Sequence, residues 1–357
     1  MAPTGGRTRH EHDAAGSRSA GIGDGSTLMR GLVVSETTGP DAVELRDGLP
    51  EPAGAHPWAE GERLLVDVRA AAVAFPDLLQ SRGAYQHGTP APYITGGEYA
   101  GVVLEAPKGS RFSAGDRVAG LSVWGSAAER VLAIPRYTVR IPDQMSWADG
   151  AAFFLNYATA CFTLHRAGFA DGESVLVHGA AGGVGTAALD LLRGRAKPVI
   201  AVVSSDDKAA VAEACGADVV LRTSEGWAEQ AREATGHGVE IVIDPVGGGR
   251  FTDSLRTLDV GGRLMVVGFA EGSIPEVKVN RLLLRNLSVV GVALDPWEQR
   301  FPGYAPELVA GLEAAAVEGR VRPYIGHRLA MSEATDALGI LDRREAQGKV
   351  VIEVAGG

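Results

Sequence analysis

The sequence predicts an α/β fold: a doubly wound parallel sheet joined to a β-rich, barrel-like domain. Two observations carry this. From Trp147 to Leu294, short apolar runs alternate with helical runs, at the spacing of parallel strands and their crossover helices. From Arg30 to Ile141, strand-like runs follow one another directly, broken by turns rich in Gly and Pro.

In the first domain, residues 31–34 open a strand, and residues 63–69 alternate apolar and charged side chains as a half-solvated strand does. Pro50, Pro52, Gly54 and Pro57 lie between them as breakers. Residues 76–81 read as a short helix, followed by a polar loop (82–93) that carries two tyrosines. Strands are expected at 96–104, from 115 and at 128–134.

Residues 148–168 are Ala-rich and apolar, a helix expected to break near Asn156 and Tyr157. Strands follow at 175–177, 198–203, 218–221, 239–244, 262–268 and 288–294. Helices fill the gaps, one of them running 206–215 and stopping at Gly216 as a C′ glycine would stop it. The last stretch ends in an apolar strand, 349–354, expected to return to the first domain and make it discontinuous in sequence. The predicted organisation is therefore 29–158 with 297–357 as one unit and 159–296 as the other.

Composition narrows the function classes. A formal charge of −10, with no Lys/Arg block, argues against a nucleic-acid or anionic-membrane surface. No apolar run approaches the ~20 residues of a membrane span. Cys161 and Cys215 are the only cysteines, which excludes a disulfide framework or a cysteine-rich zinc site and suits a reducing cytoplasm. Residues 1–28 lack a hydrophobic segment and read as a disordered extension rather than a signal, with Met29 as the functional start; no metal is assigned to His10 and His12.

The chemistry centres on the turn after the 175–177 strand. Gly179, Gly182 and Gly185 fall three apart, with Ala181, Gly183 and Val184 between them, and a helical run follows. Small residues there let backbone approach a pyrophosphate, and the helix start offers it unpaired N–H groups. A dinucleotide is the predicted ligand. An NAD-specific site would place a carboxylate at the end of the next strand. Here that strand ends in Ser204 and Ser205, with Lys208 one turn later, a set suited to a 2′-phosphate; Asp206 and Asp207 take the helix-start role. NADPH is the expected cofactor.

Together with Gly115-Asp-Arg-Val118, Asp244-Pro-Val-Gly-Gly248 and Gly348-Lys-Val-Val-Ile352, this loop makes the chain from Met29 onward resemble the medium-chain dehydrogenase/reductase superfamily, in its zinc-free quinone oxidoreductase (zeta-crystallin-like) branch. The resemblance implies a GroES-like catalytic domain, a Rossmann domain, an active site in the cleft between them, NADPH as hydride donor, and a homodimer formed through the edge strand from Ser288 to Leu294.

It also implies site residues. Tyr85 matches a family tyrosine able to donate to a substrate carbonyl. Thr159 matches the threonine near the nicotinamide, and Val246, Gly268 and Phe269 lie on loops expected to flank that ring. Thr223 replaces a tyrosine near the adenosine phosphate, and Arg222 beside it takes over the charge. Arg343, Arg344 and Lys349 are candidate phosphate contacts. Two positions depart from the family: Ala74 stands where an asparagine is usual, and Leu79 where a tyrosine is frequent. Both remove polar groups from the cleft and suggest a more apolar or bulkier substrate. No metal site is expected, since no cysteine precedes Cys161 and His56 and His87, read as surface loop residues, lack ligand spacing.

These readings predict a metal-free, NADPH-dependent reductase of quinones or α,β-unsaturated carbonyls, acting on a small molecule. The alternatives are an enoyl-thioester reductase of secondary metabolism and a non-catalytic NADPH-binding sensor or structural protein.

Overall fold

The structure, a computed structural model, describes residues 28–224 and 226–354. Most of the 1–28 extension therefore lies outside the described residues, as do His10 and His12.

The chain begins with β1 (Leu28–Val34), β2 (Val43–Pro50), β3 (Leu64–Val73), α1 (Phe75–Ser81), β4 (Tyr93–Ile94) and β5 (Glu98–Glu105). Next come β6 (Arg117–Leu121), β7 (Arg130–Ala133), β8 (Thr138–Arg140) and α2 (Trp147–Ala167). The alternating part comprises β9 (Val175–His178), α3 (Gly183–Leu192), β10 (Val199–Val203), α4 (Asp206–Cys215), β11 (Val219–Arg222) and α5 (Trp227–Thr235). It continues with β12 (Val239–Asp244), α6 (Phe251–Thr257), β13 (Leu258–Val266), α7 (Asn280–Arg285) and β14 (Ser288–Gly291). The chain closes with α8 (Leu294–Arg300), α9 (Tyr304–Val317), β15 (Ile325–Ala330), α10 (Ala337–Asp342) and β16 (Lys349–Glu353).

β9 to β14 form one parallel sheet in the order β11-β10-β9-β12-β13-β14. The order reverses between β9 and β12, which opens a crevice at their carboxyl ends. Strand alternation separates two cores. Val175 and Val177 face α2 and α3, whereas Leu176 joins the cluster under α5 and α6.

In the β-rich unit, a three-stranded sheet, β2-β1-β4, accompanies a larger one ordered β15-β16-β3-β5-β6-β8, with β7 also on β3. β16 runs antiparallel to β3, pairing Val350 with Val73, so the chain end closes the sheet that its first part began.

α2 is the spine between the two sheets. Gly150 lies so close to the β-rich sheet that an added Cβ would sit 2.9 Å from that of Ala100. Ser146 caps the helix by accepting from Asp149 N–H at 3.1 Å, and Gly168 ends it at φ 61°. The expected break at Asn156 and Tyr157 does not occur: the helix is continuous. Neither residue is a helix breaker, and tertiary bonds hold both sides of the point. The Tyr157 hydroxyl donates to Asp190 at 2.6 Å and accepts from Arg322 N–H at 3.0 Å. The sequence-based boundary at 158/159 falls inside this helix.

Two further expectations change. β2 was unforeseen, because its charged residues and Gly48 hide a strand whose pairing with β1 supplies the order. The last parallel strand stops at Gly291 rather than residue 294, where α8 begins. No helix among the described residues is long and apolar enough to cross a membrane.

Candidate active site

The site is built on the glycine turn after β9. Gly179 adopts φ 56°, and Gly182 donates its N–H back to Gly179 O at 2.9 Å, closing the turn. Thr186 N–H finds Gly182 O at 2.9 Å, leaving the N–H groups of Gly183, Val184 and Gly185 without an acceptor among the described residues. This trio, at the positive end of a 10-residue helix, fits a pyrophosphate. Ala181 is fixed from outside, because its carbonyl accepts Gly348 N–H at 2.7 Å. Asn156 of α2 packs over Gly183, where a Cβ would meet its amide at 2.6 Å. Sequence reasoning missed Asn156; the available signal was an amide in an otherwise apolar helix face.

Three strand-end loops converge here. Val246, after β12, packs against Gly179, and Gly268, after β13, approaches Pro245. Buried Asp244 shapes the first of these by accepting the N–H groups of Val246 and Gly247, each at 2.9 Å. Burial raises the Asp244 pKa. Phe269, 36% exposed, follows Gly268 over the opening.

At the end of β10, no carboxylate occupies the ribose position. Ser204 is exposed, and Ser205 hydrogen-bonds to Asp207, which also accepts from Gln347 at 2.9 Å. Arg222 holds Asp206 at 2.8 Å, an exposed pair that a phosphate can displace. Lys208 Nζ donates to the Arg344 carbonyl at 2.9 Å. The structure thus gathers Ser204, Ser205, Lys208, Arg222 and Arg344 into one patch. Arg343 is excluded from it, being engaged by Asp336 at 2.8 Å and Glu345 at 3.0 Å.

Lys349 requires a correction. Its ammonium is ion-paired with Glu98 of β5, and both side chains are almost wholly buried, so it is not available to a cofactor phosphate. The second Glu98 oxygen accepts Leu155 N–H of α2 at 2.8 Å, one turn before Thr159. Thr159 donates to Leu155 O at 2.7 Å and stays half-buried. The pair therefore ties β5, α2 and β16 together beneath the cleft, with Gly348 next door on the phosphate loop. Sequence reasoning missed Glu98, whose partner lies 251 residues away.

Asp77 lies in the same buried region, where its carboxylate accepts Ala74 N–H at 2.7 Å. Burial pushes its pKa from 3.8 up to about 7, against the pull of that bond and of Lys349. Between these values the folded state holds a proton that the unfolded chain has released. Stability therefore falls as pH rises through that window, by up to roughly 1.4 kcal/mol per pH unit. Asp77→Asn is expected to flatten this slope in urea unfolding between pH 4 and 7, and an unaltered slope would assign it to another group.

A row of aromatic rings packs beside α1. Tyr85 meets His87 at 5.5 Å, His87 meets Trp58 at 5.3 Å, and Trp124 packs on His56 at 4.7 Å and faces Trp58 at 6.5 Å. Trp124 is presented by a strained turn. Val123 holds φ 62°, Trp124 N–H reaches Ser122 O at 2.7 Å, and Gln80 donates to Val123 O at 2.8 Å. His56 is therefore no surface residue. It is 4% exposed, its Nδ1 accepts Trp58 N–H at 3.1 Å, and burial lowers its pKa to about 4.

Tyr85 is half-buried, and its hydroxyl has no hydrogen-bond partner among the described residues. Burial raises its pKa, as do the charges of Asp77 and of Asp295 on α8, so the phenol stays protonated as a donor. Ala74 and Leu79 leave the neighbouring α1 without polar side chains at those positions.

Known proteins match this architecture along its length. Residues 60–143 fit the alcohol dehydrogenase GroES-like domain, and residues 183–310 fit the zinc-binding dehydrogenase domain. Quinone oxidoreductase-like protein 2 of Bos taurus is 36% identical over 337 residues, covering 92% of this chain and 90% of its own. The chain belongs to the quinone oxidoreductase branch of the medium-chain dehydrogenase/reductase superfamily. Among solved structures, a probable oxidoreductase from Mycobacterium abscessus is 39% identical with a TM-score of 0.81, covering 92% of this chain and all (100%) of its own. The quinone oxidoreductase of Thermus thermophilus, also solved with NADPH, is 35% identical with a TM-score of 0.76, covering 91% of this chain and 100% of its own. Although the second family model is named for zinc, no group of three His, Cys, Asp or Glu side chains converges as metal ligands among the described residues.

Proposed function

We propose that this quinone oxidoreductase-family protein binds NADPH and reduces quinones or α,β-unsaturated carbonyl compounds by a route that uses no metal. The observation that carries the reading is the run of rings from Trp124 through Trp58 and His87 to Tyr85, which ends in an unpartnered, protonated phenol. Such a wall stacks a flat conjugated acceptor, and the phenol meets its oxygen. The relative solved with NADPH and the Ser204–Ser205–Lys208–Arg222 patch support the cofactor.

NADPH supplies a hydride when bound. The chain's own groups then have three tasks: the amides of Gly183, Val184 and Gly185 anchor the pyrophosphate, the loops at Val246 and Gly268–Phe269 flank the nicotinamide, and Tyr85 donates a hydrogen bond to the acceptor oxygen as charge builds there. Neutral His56, with Nδ1 committed to backbone, belongs to the aromatic wall rather than to a ligand set. In this reading residues 29–158 and 297–357 form the catalytic unit and 159–296 the cofactor unit. A homodimer forms through the edge strand β14, where α7 also exposes Leu283 at 77%.

NADPH oxidation with quinones, enones and enoyl thioesters tests the reading. Tyr85→Phe is expected to lower kcat about 10- to 100-fold while leaving NADPH affinity intact. Unchanged turnover removes Tyr85 from the reaction. The apolar space at Ala74 and Leu79 favours one rival, an enoyl-thioester reductase, which preferential turnover of thioesters would establish. Tight NADPH binding with no turnover would point instead to a sensor.

A further inference from the structure

On the sheet face opposite α2 and α3, helices α5, α6 and α7 flank an open pocket of about 380 Å³, with the exposed Leu284 at its edge. Leu255 and Leu287, both buried, form its apolar floor, and Arg232, Arg256, Arg281 and Arg285 line it with no carboxylate among them. Two of these guanidiniums are clamped side by side: Arg256 O accepts from Arg232 at 2.9 Å and from Arg285 at 3.3 Å. Among the described residues, the carboxylates paired with these arginines stand outside the lining. Asp253 pairs with Arg256 at 2.6 Å, while Asp259 stands 4.0 Å from Arg285 and is shared with His237 at 3.1 Å. The Arg281 guanidinium meets no acceptor among the described residues, its backbone N–H alone being bonded, to Lys278 O at 3.0 Å. In a chain of net charge −10, four converging cations with two rim carboxylates leave an unneutralised positive pocket.

We propose that this pocket is a second ligand site, distinct from the cofactor crevice, for a phosphorylated small molecule with an apolar or aromatic body. The forked guanidiniums take the phosphate oxygens in pairs, and Leu255 and Leu287 take the body. The volume exceeds what a lone phosphate fills, which is why an organic ester is preferred to the free ion.

The test is calorimetric titration of the full chain, saturated with NADPH, with phenyl phosphate and with inorganic phosphate at matched ionic strength. Phenyl phosphate is expected to bind saturably and more tightly than inorganic phosphate. Arg281→Gln, which breaks no internal bond, should weaken it about tenfold, with NADPH affinity unchanged. Arg281→Glu should abolish it. Absence of saturable binding, or equal binding by both variants, overturns the site. Equal affinity for inorganic phosphate overturns the assignment of an organic ester.

Discussion

Lys349→Met is expected to destabilise the chain by about 3–5 kcal/mol, because it strands the Glu98 carboxylate inside the protein. Glu98 is 1% exposed and, among the described residues, keeps only the Leu155 N–H as a partner once the ammonium is gone. The same substitution should weaken NADPH binding, since Gly348, beside it, anchors Ala181 of the phosphate loop. Glu98→Leu combined with Lys349→Met separates two origins of that loss. If the pair acts by holding β16 in place, the double variant recovers both stability and cofactor affinity, because packed apolar groups replace a buried ion pair at little cost. If Lys349 touches a cofactor phosphate, affinity stays low while stability returns. Urea unfolding and fluorescence titration with NADPH read the two quantities. An unchanged unfolding midpoint in Lys349→Met would show that the ion pair does not tie β5, α2 and β16 together.

Gly185→Ala is expected to cost about 1–3 kcal/mol and to weaken NADPH binding by about tenfold to a hundredfold. An added Cβ there would lie 2.3 Å from Gly179 O and 2.7 Å from Ala180 Cα, backbone atoms that no rotamer change can move aside. The turn must open, and the N–H groups of Gly183 and Val184 lose their common aim. Gly182→Ala is the control. Its nearest neighbour is Gly179 O at 3.3 Å, so a smaller effect is expected. Equal effects of the two substitutions would mean that the spacing of small residues, and not this contact, sets the loop.

Where a residue's neighbours along the chain decide its structure, the sequence is legible. α4 is the clearest case, with Asp206 at its start and Gly216 at φ 115° beyond its end, both as the sequence indicates. β12 likewise occupies the expected residues 239–244. Failures came where a residue's meaning depends on a distant partner. Lys349 reads as a free cation beside a cofactor, yet Glu98 claims it. His56 reads as a loop residue, yet Trp58 and Trp124 enclose it. Asn156 reads as a break in a helix, yet it is the lid over Gly183.

The sequence by itself determined the local machinery: the order of strands and helices apart from β2, the glycine turn, the missing carboxylate after β10 and the phenol at Tyr85. These are set by neighbours within a few residues, through periodicity, capping and backbone freedom. Only the tertiary structure decided which charges are spent and which remain available. Coulomb pairing and burial depend on distances in space, and here the deciding contacts, Glu98 with Lys349 and Gly348 with Ala181, join residues far apart along the chain.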